Sequence, residues 1–375
     1  MLADFGAEVL KIERPGRGDP MRGLGPRKGE IAIWWKAAAR NKKSVTLDFG
    51  TKRGKEILLE LIGHADVLVE NFRPGTLERH GLGWDTLHEH NRKLVVLRIS
   101  GFGQTGPHSA RPGFGRTAEA MAGAAHLTGF PDGPPVHVGY SLADTLAGLM
   151  GAWGVLLALL GRHQTGEGDC VDVALYEPLF RLIDWQVSVH DQLGHVPVRA
   201  GNAFPDALQG VAAGVARSAD GVWLSYSAAT DTVLERLIAL VGGEDAATDP
   251  RFSDPEGRRT NTGVVQQLVD AWIAQRPADE IQERFAAGQA VIGPVYDMAR
   301  IAADPGFMHR ENIIRVPDDE CGTIAMHGII PKLLARPGRV LSTGPALGAH
   351  TDEVLMQHGA VHETEIAELR ASKVI

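Results

Sequence analysis

Cysteine is nearly absent: the 375 residues contain two, Cys170 and Cys321, far apart in the chain. That excludes a disulfide-stapled scaffold and makes a reducing, cytoplasmic setting the expectation. A basic block is lacking too, and the net charge is -8. A general nucleic-acid binder and a membrane-surface protein are therefore not expected. The opening Met1-Leu2-Ala3-Asp4 has neither the basic nor the apolar region of a secretory leader. The longest apolar run, Leu146 to Leu160, is short for a bilayer span and is broken by Gly148, Gly151 and Gly154, so a buried core helix is expected. No internal repeat or low-complexity tract occurs. Hydrophobic residues at 44% and charged residues at 22% are those of an ordinary globular protein, and the length suits two domains.

Several reaction classes lack their signatures. HExxH is missing, although His88 and His90 flank Glu89, and no Cys/His cluster has ligand spacing; no metal is expected. GxSxG is missing as well, which leaves an α/β-hydrolase elbow unsupported. One GxGxxG is present, Gly101-Phe102-Gly103-Gln104-Thr105-Gly106, directly after an apolar strand. A dinucleotide site needs those glycines to open a helix whose N-terminus meets the pyrophosphate. Pro107 and Pro112 forbid a useful helix there, so the motif reads as a glycine turn lining a ligand cleft and no nicotinamide is expected.

In the first half, short strands alternate with helical patterns. Strands are expected at 8–13, 44–47, 66–70, 93–100 and 171–175, and helices at 52–62 and 144–160. This alternation predicts an α/β fold with a parallel sheet and right-handed crossovers, Rossmann-like in its layering. Around 196–214 the composition shifts to Gly, Ala and Pro. A strand at 221–226 and helices at 231–241 and 262–275 then predict a smaller α+β domain. The expected division is a large domain over 1–195 and 325–375, a small one over 205–310, and linkers at 196–204 and 311–324.

Two features could carry chemistry. Asp144 lies at the entrance of the most apolar helix, with Ser141 at capping-box spacing. Its plain role is a first-turn carboxylate complementing the helix dipole. Its functional role would be a weakly basic carboxylate able to attack a thioester carbonyl and form a mixed anhydride. A basic set, Lys11, Arg14, Lys42, Lys43, Arg73 and Arg79, clusters at strand ends in the sequence. It is either a solvated surface or a site for an anionic, phosphate-bearing ligand.

Taken in order, the segments resemble class III coenzyme A transferases, the CaiB/BaiF family. The resemblance rests on Leu2 to Pro15, Asn41 to Asp48, Asp66 to Gly75, Ser100 to Pro107, Thr128 to Pro135, Ser141 to Gly148, Arg162 to Val173 and Pro345 to Leu355. It implies coenzyme A, carried as acyl-CoA, as substrate beside small carboxylic acids, with Asp144 as nucleophile. It also implies that Arg14, Leu47, Asn71, Phe72 and Arg79 contact CoA. Arg14 and Arg79 would meet phosphate or stack on adenine, and Asn71 and Phe72 would line the adenine pocket. Interlocked homodimers belong to the same implication.

The sequence departs from the family pattern in four places. The family's opening strand, glycine-proline turn and half-helix do not precede Leu2, which makes a non-catalytic CoA-binding subunit an alternative. Gly115 replaces a carboxylate, and Gly50 stands where some members have a lysine. Gly201-Asn202 is followed by Ala203-Phe204-Pro205-Asp206 and not by a glycine run, which argues against oxalate/formate chemistry. A racemase-like enzyme, the other alternative, uses a histidine where this chain has Phe114, a side chain that cannot move a proton.

Overall fold

The computed structural model describes residues 1–203, 211–358 and 361–375. Contacts divide the chain into two units, one of residues 1–115, 143–178 and 302–375, the other of 116–142 and 179–301. Residues 116–142 and 179–195, which sequence patterning groups with the large domain, cluster with the second unit in this division, and 302–324 with the first. Most of the 203–214 segment, where the glycine-run comparison falls, lies outside the described residues.

In the first unit, apolar runs form two parallel sheets. β1 (Val9–Glu13) pairs with β2 (Lys42–Thr46), with Glu13 opposite Thr46. β3 (Val67–Glu70), β4 (Val95–Ser100) and β5 (Cys170–Ala174) form the other sheet with β4 central, Leu97 opposite both Val69 and Val171. Between β2 and β3 runs α1 (Lys52–His64), opened by the Thr51 hydroxyl, which accepts the Gly54 N–H at 3.0 Å. Its Ile57, Leu58, Leu61 and Ile62 share one face and are buried with Val45, Leu47 and Val96. Helices Thr351–Gln357 and Glu363–Ala371 close that core with Val354, Leu355, Ile366 and Leu369. After β3 comes the single turn α2 (Thr76–Arg79), and after β4 a glycine-rich loop leads to α3 (Gly115–Met121).

The apolar helix is longer than its sequence run: α4 covers Leu142–Thr165. It is long and apolar enough to cross a membrane by length and composition. In this fold it is the crossover between β4 and β5. A Cβ on Gly151 would lie 2.8 Å from Leu97 Cδ2, and one on Gly154 would lie 2.7 Å from Val171 Cγ1. These glycines let the helix backbone approach the strands, and larger residues would lift it away. The expectation of a wholly buried core helix needs correcting. Ala143, Ala147, Gly151 and Val155 are buried, whereas Leu149, Trp153, Leu156 and Leu160 form an exposed stripe on the opposite face.

The second unit is antiparallel. Strand order is β8–β7–β6, from β6 (Ala212–Arg217), β7 (Trp223–Ala228) and β8 (Ile292–Pro294). α5 (Asp231–Ala247), α6 (Thr262–Ala274) and α7 (Ala278–Ala287) cover it. Leu224, Leu234, Val265, Val269, Ile273, Ile281 and Phe285 fill the core completely buried. Each such side chain contributes about 1.5–3 kcal/mol by leaving water. One polar pair interrupts it: Tyr226 donates its hydroxyl to Asp270 Oδ1 at 2.8 Å, and burial first, then the Asp270 carboxylate, pushes the phenol's pKa upward.

Candidate active site

Arg162, near the C-terminal end of α4, fixes the direction of that helix. Its guanidinium donates to the Lys93 carbonyl at 2.9 Å and to Asp66 at 2.8 Å, just before β4 and β3 begin. The N-terminal end of α4 therefore lies at the carboxyl ends of the strands, where open parallel sheets bind ligands. Asp144 occupies that end, in the first turn, and is exposed.

Gly115 stands against it. A Cβ on Gly115 would come 2.7 Å from Asp144 Oδ2 and 3.2 Å from its carboxyl carbon. The residue that sequence comparison marks as a lost carboxylate thus leaves room directly beside the proposed nucleophile. The glycine loop between β4 and α3 folds back in a similar way, since a Cβ on Gly101 would lie 2.9 Å from the Gly113 Cα. Asp172 accepts the Gln104 N–H at 2.9 Å and fixes the loop to β5. Between Ser100 and Gly115 the chain forms turns and no helix, as Pro107 and Pro112 predict. Phe114, the position a racemase would fill with histidine, is among the most exposed apolar side chains.

The other strand ends gather the remaining predicted residues. Arg14 follows β1 and Leu47 follows β2, joined by the Leu47 N–H donating to the Glu13 carbonyl at 2.8 Å. Arg14 is exposed, while the Leu47 side chain is 1% exposed in the core, so only Leu47's backbone can face a ligand. Asn71 and Phe72 follow β3 and are exposed. Phe72 meets Phe49 edge-on at 6.0 Å, and Phe49 meets His80 edge-on at 5.3 Å, giving a chain of three aromatic rings. Arg79, at the end of α2, is exposed and donates to Thr76 Oγ1 at 2.9 Å.

Of the basic set, Arg14 and Arg73 follow the carboxyl ends of β1 and β3, and Arg79 ends α2. Lys42 and Lys43 open β2 at its amino end, and Lys43 is tied to Glu8 and Glu353 at 2.8 Å each. Lys11 is inside β1 and pairs with Asp19 at 2.5 Å. These three lysines are structural ion-pair or strand residues because direction along a strand, invisible in a charge count, decides which end meets a ligand. Phe49, His80 and the Gly115–Asp144 contact were not legible in the sequence; the aromatic at the end of β2 was the one available signal. Among the described residues, no group of three or more His, Cys, Asp or Glu could hold a metal ion.

Ion pairs stiffen the strand ends. Buried Glu13 accepts from Arg22 Nε and Nη2, both at 2.8 Å, and from Ser44 Oγ at 2.7 Å. Burial opposes its charge, but these bonds outweigh it and hold the pKa below the usual carboxylate value. Arg22 also stacks on Trp35 at 3.8 Å.

The chain as a whole has counterparts among known proteins. The chain is 41% identical over its whole length to the succinyl-CoA–D-citramalate CoA-transferase of Chloroflexus aurantiacus, covering 93% of that protein. It is 40% identical, with the same coverage, to the succinyl-CoA–L-malate CoA-transferase β subunit of that organism. It is 33% identical to a formyl-CoA:oxalate CoA-transferase of Streptomyces coelicolor, covering all of this chain and 94% of that one. The crystal structure of a CaiB/BaiF family protein from Brucella suis superposes with a TM-score of 0.82 at 30% identity, over 95% of this chain and 93% of that one. Residues 1–351 match the model for CoA-transferase family III, and the chain belongs to that family: it is a CoA-transferase of the CaiB/BaiF type.

Proposed function

We propose that the chain moves CoA from succinyl-CoA to a small hydroxylated dicarboxylate, with Asp144 as the covalent carrier. The observation that carries this is the Asp144 carboxylate in the first turn of α4, beyond the carboxyl ends of the parallel strands, with the Gly115 notch beside it. Relatives named for succinyl-CoA with citramalate or malate match at 37–41% identity, and those named for formyl-CoA and oxalate at 33%, which supports succinyl-CoA as donor and a hydroxylated acceptor over oxalate.

The steps follow from carboxylate chemistry. An Asp144 oxygen attacks the thioester carbonyl carbon, the C–S bond breaks, and CoA leaves as thiolate. The thiolate attacks the aspartyl carbonyl of the resulting anhydride, releasing the first acid as a carboxylate and leaving an aspartyl-CoA thioester. The acceptor carboxylate attacks that thioester, forming a second anhydride and freeing the thiolate. Finally the thiolate attacks the acceptor's acyl carbonyl, and Asp144 returns as a carboxylate. No proton needs to be moved at any step.

Arg14, Asn71, Phe72 and Arg79 hold the nucleotide end of CoA in this reading, with Leu47 contributing backbone. Arginine forks meet phosphates and the Phe72 surface stacks on adenine. The exposed stripe Leu149, Trp153, Leu156 and Leu160 supports a homodimer in which a second copy covers α4. The two free cysteines, Cys170 and Cys321, support a cytoplasmic setting.

Intact-mass measurement after mixing with succinyl-CoA tests the proposal. A CoA-sized adduct that hydroxylamine converts to a hydroxamate, absent in Asp144→Ala, is expected. An unmodified wild-type protein that still exchanges CoA would contradict it, and an unmodified protein without exchange would favour the non-catalytic subunit.

A further inference from the structure

Arg98 is a cation on the central strand of a parallel sheet, 9% exposed at its side chain. It lies in β4, on the face opposite Leu97 and Ile99, which meet α4. It faces two carboxylates. Nε donates to Glu70 Oε1 at 2.7 Å, and Glu70 is the last residue of β3. Nη1 donates to Glu78 Oε1 at 2.8 Å, with Nη2 3.4 Å from Oε2, and Glu78 lies within α2. The second Glu70 oxygen accepts the Phe72 backbone N–H at 2.7 Å. One guanidinium therefore ties the turn that presents Asn71 and Phe72 to the helical turn that presents Arg79.

Burying a charge in a strand costs stability that an apolar residue would not. Here the hydrogen bonds to Glu78 and Glu70 outweigh burial and keep Arg98 firmly protonated, and the same bonds hold the Glu78 carboxyl below its usual pKa. The three charged side chains bond one another and hold the backbone after β3.

We propose that the Glu70–Arg98–Glu78 clamp is a positioning device for the nucleotide half of CoA, setting Phe72 and Arg79 in their binding geometry before the ligand arrives. This rests on the reading that Asn71, Phe72 and Arg79 hold CoA. Preorganisation of this kind strengthens binding by lowering the ordering cost. It acts on acyl-CoA affinity and leaves the chemistry at Asp144 unchanged.

Glu78 is the position to test, because its side chain is 43% exposed and its replacement leaves the buried Glu70–Arg98 pair in place. Glu78→Gln removes a negative charge next to Arg79. Charge alone would then make a phosphate ligand bind more tightly. Loss of positioning would make it bind more weakly. The two accounts differ in sign. Titration calorimetry with adenosine 3′-phosphate 5′-diphosphate should show Kd raised about five- to tenfold in Glu78→Gln, with partial recovery in Glu78→Asp. KM for succinyl-CoA should rise by the same factor, with kcat and the KM for the carboxylate acceptor unchanged. Unchanged or tighter binding in a folded Glu78→Gln protein would overturn the clamp. Phe72→Ala and Arg79→Ala separate the two ideas. If they weaken the nucleotide while Glu78→Gln does not, the clamp fails alone; if they too leave Kd unchanged, the CoA-site reading fails with it.

Discussion

The two units handle buried charge differently. In the first, Glu13, Lys36, Arg40, Glu70, Arg98 and Asp318 are buried and paired, with Asp4 closing on Arg40 at 2.8 Å. Glu13 and Glu70 each end a parallel strand, one residue before Arg14 and Asn71. Among its described residues the second unit buries two charged side chains, Glu119, which accepts from Arg116 at 3.2 Å and from His137 at 2.7 Å, and Arg258, which donates to the Phe252 carbonyl at 3.0 Å, while the core on its antiparallel sheet is apolar. A buried ion pair is weak evidence for stability, because desolvation offsets its attraction. It does fix a backbone in one geometry. The difference is one of number and place: the first unit gives up some stability to fix two of its parallel strand ends through Glu13 and Glu70, and none of the second unit's three described strands ends on a buried charge.

Asp144→Ala should separate chemistry from folding most completely. We expect at least a thousandfold loss of CoA transfer, roughly the cost of losing a covalent nucleophile, with the melting temperature nearly unchanged. In the second unit the balance reverses. Phe285 is fully buried, and Phe285→Ala should cost about 3–5 kcal/mol in urea denaturation while the folded fraction keeps its kcat. Gly115→Ala sharpens the comparison within the first unit. Its Cβ would fall 2.7 Å from Asp144 Oδ2, so kcat should drop about a hundredfold as the carboxylate is displaced, with little change in stability. Retained kcat would show that the notch is incidental.

The smallest expected effect concerns acid. Asp318 is buried, which raises its pKa, but the Thr343 hydroxyl, the Lys36 ammonium at 3.0 Å and the Cys321 N–H at 2.7 Å prevail and bring it down to about 2. A carboxylate depressed on folding stabilises the protein above its unfolded pKa, and that contribution is lost as pH falls toward the folded value. Asp318→Asn should therefore flatten the stability curve between about pH 4 and pH 2 and leave its slope near neutrality unchanged. An unaltered acid limb in chemical denaturation would remove Asp318 from the account.

Much of this was legible in the sequence. The strands Val9–Glu13, Val67–Glu70 and Val95–Ser100 follow from short β-branched runs bounded by turns, and α1 from the spacing of Ile57, Leu58, Leu61 and Ile62. Asp144 stood out because a carboxylate at the mouth of an oily helix is unusual. What could not be read was direction and sidedness. Lys42 and Lys43 looked equivalent to Arg14 until the strand showed which end was which. α4 read as a core helix because hydropathy counts apolar residues without saying which face meets a sheet. Gly115 read as a loss, since only the fold brings it against a residue 29 positions later. The Arg98 clamp joins three elements, and nothing local in Val95 to Ser100 announces its partners.

Oxygen tracing on Asp144 tests the central claim most directly. In the proposed sequence the bridging oxygen of the first anhydride leaves with the first acid, and the acceptor carboxylate's oxygen stays on Asp144 when the second anhydride is opened. After turnover with succinyl-CoA and an acceptor labelled with heavy oxygen in its carboxylates, the peptide containing Asp144 should carry the label. Full CoA transfer with no label in that peptide would contradict the account.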